Sequence, residues 1–282
     1  IDGGHLLDVK SKNGIANLMT DIMMEGTADK SPEQLEEEIE MLGANIRMYT
    51  TNESIVIGGN TLVRNFDKTM DLVEEILLKP RWDAEEFARI KTKTINQIKR
   101  SDADPNSVAE NVYNKILYGE DHIFAYPTSG TEASVEAISM DDLKAFYVAN
   151  FSPSISKFNI VGKVTKEQTL KTLKKLEENW KAKKVEIPAF PIVNNRDKAS
   201  LYFVDIPSAK QSVINIGYIG LPRTDADFYP AEVMNYKLGG SFSGNVNLIL
   251  REEKGYTYGA RTGFSGSKTP GTFTASSSDR TN

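Results

Sequence analysis

The chain has 282 residues, 39 % of them hydrophobic, with 34 Lys and Arg against 39 Asp and Glu, two His and no Cys. This is enough apolar material for one large or two medium domains. The cations are dispersed, which argues against a nucleic-acid partner, and no apolar run is long enough to cross a bilayer. Without cysteine there is no disulfide, Cys-zinc site or Cys nucleophile.

In chain order, the pattern predicts a first helix over 14–24. There Asn17, Thr20 and Asp21 stand at i, i+3 and i+4 on one face, among Leu18, Met19, Ile22, Met23 and Met24. The bland reading is an ordinary amphipathic helix; the spacing also suits a chemical site. A second helix begins at Ser31 as N-cap with Pro32 at its first position, and Gly43 stops it. Residues 44–63 alternate and are β-rich, giving one or two strands with a turn near Asn52. Helices follow over 65–80, 83–100, 105–119 and 138–151, the last capped by Ser139. The strand-like run 156–164 then precedes a Lys-rich helix over 165–180. Residues 184–198, charged and Pro-containing, are the linker. The pattern then restarts. Strands are expected at 200–207 and 211–221, helices at 227–240 and 243–255, and a hairpin from 256–265 and 271–278. Helices and strands without βαβ alternation predict an α+β fold. Its expected organisation is a first repeat over 1–183, the linker 184–198, and the start of a second repeat over 199–282, cut short. The chain opens at Ile1 and closes inside a strand-like run, so residues are expected to be missing at both ends, any signal peptide included.

Only His5 and His122 could supply imidazole, and neither has a second histidine within helical reach, so both are read as structural or solvent-exposed. No G-x-S-x-G elbow, P-loop or complete calcium loop is present; Asp102, Asp104 and Asn106 read as punctuation between helices. In the stretch 239–258, small residues open a helix that ends with Arg251 and Gly255. A strand bearing Tyr256 and Tyr258 on a common face follows. A guanidinium and a phenol could converge there on a carbonyl or carboxylate oxygen.

Both segments, in this order, resemble the pitrilysin/insulinase/mitochondrial-processing-peptidase superfamily of zinc peptidases. Its zinc helix carries H-x-x-E-H within a phrase like G-L-A-H-F-L-E-H-M-L-F-K-G-T. Here the phrase is "GIANLMTDIMMEGT", which matches the frame at Gly14, Ala16, Met23, Gly26 and Thr27. Asn17 and Asp21 replace the two histidines, Thr20 the catalytic glutamate, and Gln97 the distal glutamate ligand. Downstream, "LGG" followed by "LREEKGYTYG" resembles the family's second repeat. There an arginine and a tyrosine of the zinc-free half reach substrate at the partner's metal, by motif Arg251 and Tyr258, with Tyr256 the alternative.

The resemblance implies two repeats of an antiparallel sheet packed with helices, the second truncated. It also implies a bacterial, non-catalytic, substrate-binding half that closes a chamber over peptides and is inactive alone. No metal or cofactor is expected in this chain, with zinc in the partner half. Partners would be a homologous zinc-bearing half, in the same longer chain or a separate subunit, and peptide substrates; no nucleic acid or membrane span is expected. The competing reading is an inert structural or docking subunit of a larger complex. The expected compartment is periplasm or cytoplasm, with the periplasm preferred.

Overall fold

Two short 3-10 turns, Gly4–Leu7 and Lys10–Lys12, lead into α1 (Ile15–Met23) in a computed structural model that describes residues 1–207 and 209–280. Ser208, Thr281 and Asn282, which fall in the expected second repeat, lie outside the described residues. Gly14 starts α1 at φ 96°, and a Cβ there would meet the Ser129 carbonyl oxygen at 2.7 Å, so only glycine fits. α2 (Pro32–Met41) has the expected capping box: Gln34 N donates to Ser31 Oγ at 3.3 Å, and Ser31 N donates to Gln34 Oε1 at 2.9 Å. β1 (Asn45–Thr50) and β2 (Ile55–Asn60) form an antiparallel pair with Thr50 opposite Ile55. α3 (Phe66–Leu78), α4 (Ala84–Ser101), α5 (Pro105–Tyr118), α6 (Glu132–Glu136), α7 (Met140–Asn150) and α8 (Lys166–Asn179) follow. Then come β3 (Gln211–Ile219), α9 (Phe228–Asn235), α10 (Asn245–Asn247), β4 (Thr257–Phe264) and β5 (Thr272–Arg280). Tyr236–Gly240 and Leu248–Glu253 extend α9 and α10 as π-helical turns.

The chain resolves into two units. The first comprises 1–98 and 127–189, the second 99–126 and 190–282. In the first, α1 packs on β1 and α7, and Leu18, Met19, Met23, Leu35, Ile55, Ile76 and Leu143 are buried in its core. Thr50 Oγ1 donates to the Ala16 carbonyl at 2.9 Å, tying β1 to α1. α8 sets Thr172, Lys175 and Asn179 against Asp67, Asp71 and Glu74 of α3, at 2.5–2.8 Å.

In the second unit an antiparallel sheet has the order β3-β5-β4, and α5 packs on β3. Tyr113 Oη of α5 donates to the Phe273 carbonyl at 3.2 Å. Gly217 of β3 lets that phenol in, since a Cβ there would lie 2.0 Å from Tyr113 Oη. Phe228, Phe264, Phe273 and Tyr218 form an aromatic cluster on this sheet. α5 belongs to this unit, and the sheet that covers it is built from residues after 210.

The α+β architecture and the β4–β5 hairpin agree with the sequence reading. Two expected strands do not form: 156–164 and 200–207 carry no ladder. Alternation gave these runs strand character, but a strand also needs a partner, and Phe158, Val161, Leu201 and Phe203 stand exposed.

Candidate functional site

α1 owes its start to Asp8, six residues upstream of the helix cap. Its carboxylate accepts from Gly14 N at 2.7 Å and Ala16 N at 3.0 Å, satisfying donors that a helix N-terminus otherwise leaves open. The buried His5 lies against the same carboxylate, Nδ1 to Oδ2 3.0 Å. His122, also buried, accepts from Phe124 N at 3.1 Å and stacks among Tyr118, Phe124 and Phe190. Both imidazoles thus have structural surroundings. Asp104 caps α5 by accepting from Ser107 N at 2.9 Å.

The polar trio of α1 is turned inward on itself. Thr20 is fully buried and its hydroxyl donates to the Asn17 carbonyl at 2.8 Å; an alcohol oxygen is in any case too weakly basic to take a proton from water. Asn17 Nδ2 donates to Asp21 Oδ2 at 3.3 Å. Burial pushes the Asp21 carboxyl up to about 6, against the opposing pull of the Lys93 charge. One turn further, Arg89 Nη2 meets Glu25 Oε1 at 2.6 Å. Both registers step by four residues, so the same stagger puts exposed Gln97 of α4 at the level of Asn17.

These residues do not fit zinc. Catalytic zinc takes three ligands from His and carboxylate, with a water activated by a base. Here two ligand positions are neutral amides, the one carboxylate is held by Asn17, and two cations of α4 face the stripe. Among the described residues no cluster of three His, Asp or Glu could hold a metal ion.

The second-repeat segment is built differently. Buried Asn247 accepts from Ala260 N at 3.0 Å through Oδ1 and donates to the Phe242 carbonyl at 2.7 Å through Nδ2, fixing the 241–244 loop to β4. Buried Asn235 does the same for Thr262, with Nδ2 to the carbonyl at 3.0 Å and Oδ1 to the hydroxyl at 2.5 Å. On this frame Arg251 sits in the π-helical turn, half-buried, its guanidinium 4.6 Å from the Phe242 ring centroid and 3.5 Å from Glu252 Oε1. π-turns recur at functional sites because they re-aim a side chain. Tyr256 and Tyr258 are 58 % and 73 % exposed while Thr257 between them is buried, so the two phenols share the solvent side. Arg251 touches Phe242 and Glu252 rather than either ring. Phe242, Asn235 and Asn247 escaped the sequence reading; a lone aromatic within "GGSFSG" was the signal available.

Two family models cover nearly the whole chain. The one described as "Insulinase (Peptidase family M16)" matches residues 1–127, and "Peptidase M16 inactive domain" matches 137–282. The chain belongs to peptidase family M16. This M16 chain is 23 % identical over 250 residues to "Uncharacterized zinc protease YmxG" of Bacillus subtilis, covering 87 % of this chain and 59 % of the relative. It is 24 % identical over 263 residues to "Non-peptidase homolog YmxG" of Helicobacter pylori, covering 91 % and 59 %. To "Mitochondrial-processing peptidase subunit beta" of Dictyostelium discoideum it is 21 % identical, covering 85 % and 51 %. It therefore spans about three-fifths or less of these relatives' lengths. A crystal structure of a peptidase M16 inactive domain from Pseudomonas fluorescens superposes with TM-score 0.91 at 24 % identity, over 99 % of this chain and 67 % of that one. The likeness establishes the fold. The match to the inactive-domain family model over 137–282, with the altered α1 face, makes this a non-catalytic M16 family member.

Proposed function

We propose that this chain is the substrate-binding, non-catalytic half of a two-part zinc peptidase. A homologous half bearing H-x-x-E-H would hold the zinc, in the same longer polypeptide or a separate subunit. This half would close a chamber over an extended peptide and present Arg251, with Tyr258 or less favourably Tyr256, to the partner's site. The observation that carries the reading is the contrast in accessibility. Arg251 is propped on Phe242 beside two exposed phenols, whereas the former metal face is closed by its own hydrogen bonds. A guanidinium there can orient a substrate carbonyl and stabilise the oxyanion as it develops. The relative named as a beta subunit of the mitochondrial processing peptidase supports pairing of halves.

The test is turnover of a quenched peptide by this chain mixed with its zinc-bearing half. No turnover is expected from this chain alone, and loss of turnover is expected in Arg251→Ala. Undiminished turnover in that variant would instead favour an inert docking subunit; one relative carries the name "Non-peptidase homolog".

A further inference from the structure

The entry to α1 contains the only Asn-Gly dipeptide of the chain, Asn13–Gly14. An asparagine in front of glycine is prone to lose its side-chain amide, because glycine has no Cβ to shield its backbone nitrogen from the neighbouring carboxamide. That nitrogen gives up its proton and attacks Asn13 Cγ; ammonia leaves and a succinimide ring closes. Water then opens the ring at either carbonyl. The product is aspartate or, with the main chain rerouted through the side chain, isoaspartate.

In the fold both ends of the peptide unit that must turn are tied down. Gly14 N–H donates to Asp8 Oδ2 at 2.7 Å, so the attacking nitrogen is held by a carboxylate. The Asn13 carbonyl accepts from Ser134 Oγ at 2.8 Å. Gly130 lies over the same carbonyl, where a Cβ would come to 2.4 Å from the oxygen. Ser129 to Ser134, the approach to α6 and its first turn, thus forms a cover over the bond, and Ser134 is its latch. Ring closure requires Gly14 N to leave Asp8 and the cover to lift.

The side chain beneath this cover is unusual. Asn13 is completely buried, and among the described residues neither Nδ2 nor Oδ1 has a hydrogen-bond partner. Buried amides are nearly always paired. A carboxylate left here by deamidation would be a buried charge with no donor to meet it, which a fold does not tolerate.

We infer that Asn13–Gly14 is a gated deamidation site. It is closed by Asp8 and the 129–134 cover while the first unit is folded, open to water when the cover lifts, and irreversible once converted. An isoaspartate also adds a main-chain atom just where Gly14 must hold φ 96° to start α1. A chain that has opened here is therefore permanently marked, and the mark prevents its return.

The test follows conversion at residue 13 by mass spectrometry of the peptide that contains it. In mildly alkaline buffer the native chain is expected to convert at least about 100-fold more slowly than the same chain in denaturing urea. Ser134→Ala releases the latch and should raise the native rate about tenfold, with the rate in urea unchanged. Asp104→Ala, which removes the α5 cap in the other unit, should leave both rates unchanged. A further arm needs no variant: after urea is diluted away, the folded fraction should be depleted of converted chains at least about tenfold. No conversion in urea, native conversion at the urea rate, or a folded fraction with its full share of converted chains would each overturn the inference. So would a folded Ser134→Ala protein that converts no faster than the parent or than Asp104→Ala.

Discussion

The α1–α4 face and the Arg251 segment are both polar surfaces descended from one peptidase architecture, yet they have been finished in opposite ways. On α1 and just after it these polar groups find partners in their own unit: Thr20 on the helix carbonyl, Asn17 on Asp21, Glu25 on Arg89. Around Arg251 the buried hydrogen bonds are spent on the frame, through Asn235 and Asn247, while Tyr256 and Tyr258 lie exposed. A site meant to meet something outside the chain invests its buried hydrogen bonds in position. Under the proposed function, the α1 face is a site that has retired and lets its polar groups satisfy one another.

The largest effect is expected at Arg251. In the mixed two-half assay Arg251→Ala is expected to lower kcat by about 10²–10³-fold, the scale seen when one oxyanion-stabilising donor is lost. Tyr258→Phe should lower it less, with folding unchanged by circular dichroism. Next, Asn247→Ala strands the buried Ala260 N–H and the Phe242 carbonyl, which should destabilise the protein by about 2 kcal/mol in urea titrations. If the frame exists to hold Arg251, that variant loses turnover as well as stability.

A smaller effect is expected at Asp21. Its folded carboxyl titrates at about 6, above an ordinary aspartate. The folded state therefore holds more protons than the unfolded one between about pH 4 and 6, and stability falls as pH rises through that window. Asp21→Asn removes the ionisation and should stabilise the protein at pH 7 by about 1–2 kcal/mol, discounted for partial exposure. Near pH 3.5 the variant and the parent should unfold together; a gain that persists there would place the cause elsewhere. Smallest is Glu25→Gln, which removes an exposed ion pair with Arg89 and should shift stability by less than about 1 kcal/mol, vanishing in high salt.

Helix ends were readable in the sequence because caps are local: Ser31 with Gln34, Ser139 with Asp142 and Asp104 with Ser107 are all three residues apart. The family was readable at Gly14, Ala16, Gly26 and Thr27 even though every ligand position had changed. What escaped depends on distance along the chain or on a missing partner. Asp8 caps α1 from across a turn, which no i, i+3 rule registers. The runs 156–164 and 200–207 have strand alternation but no described strand beside them. The π-turn that aims Arg251 arises from packing of Asn247 on β4 and leaves no period to detect.

The pairing of Tyr113 with Phe273 spans 160 residues. Because the second unit draws on both 99–126 and 190–282, neither unit is a contiguous stretch of gene, and neither can be cut out as a single fragment. During synthesis at about 5–20 residues per second, α5 must wait roughly ten to thirty seconds for the sheet that will cover it. For that interval its sheet-facing side is a surface for chaperones to guard, and the first unit can complete its core while the second is still being made.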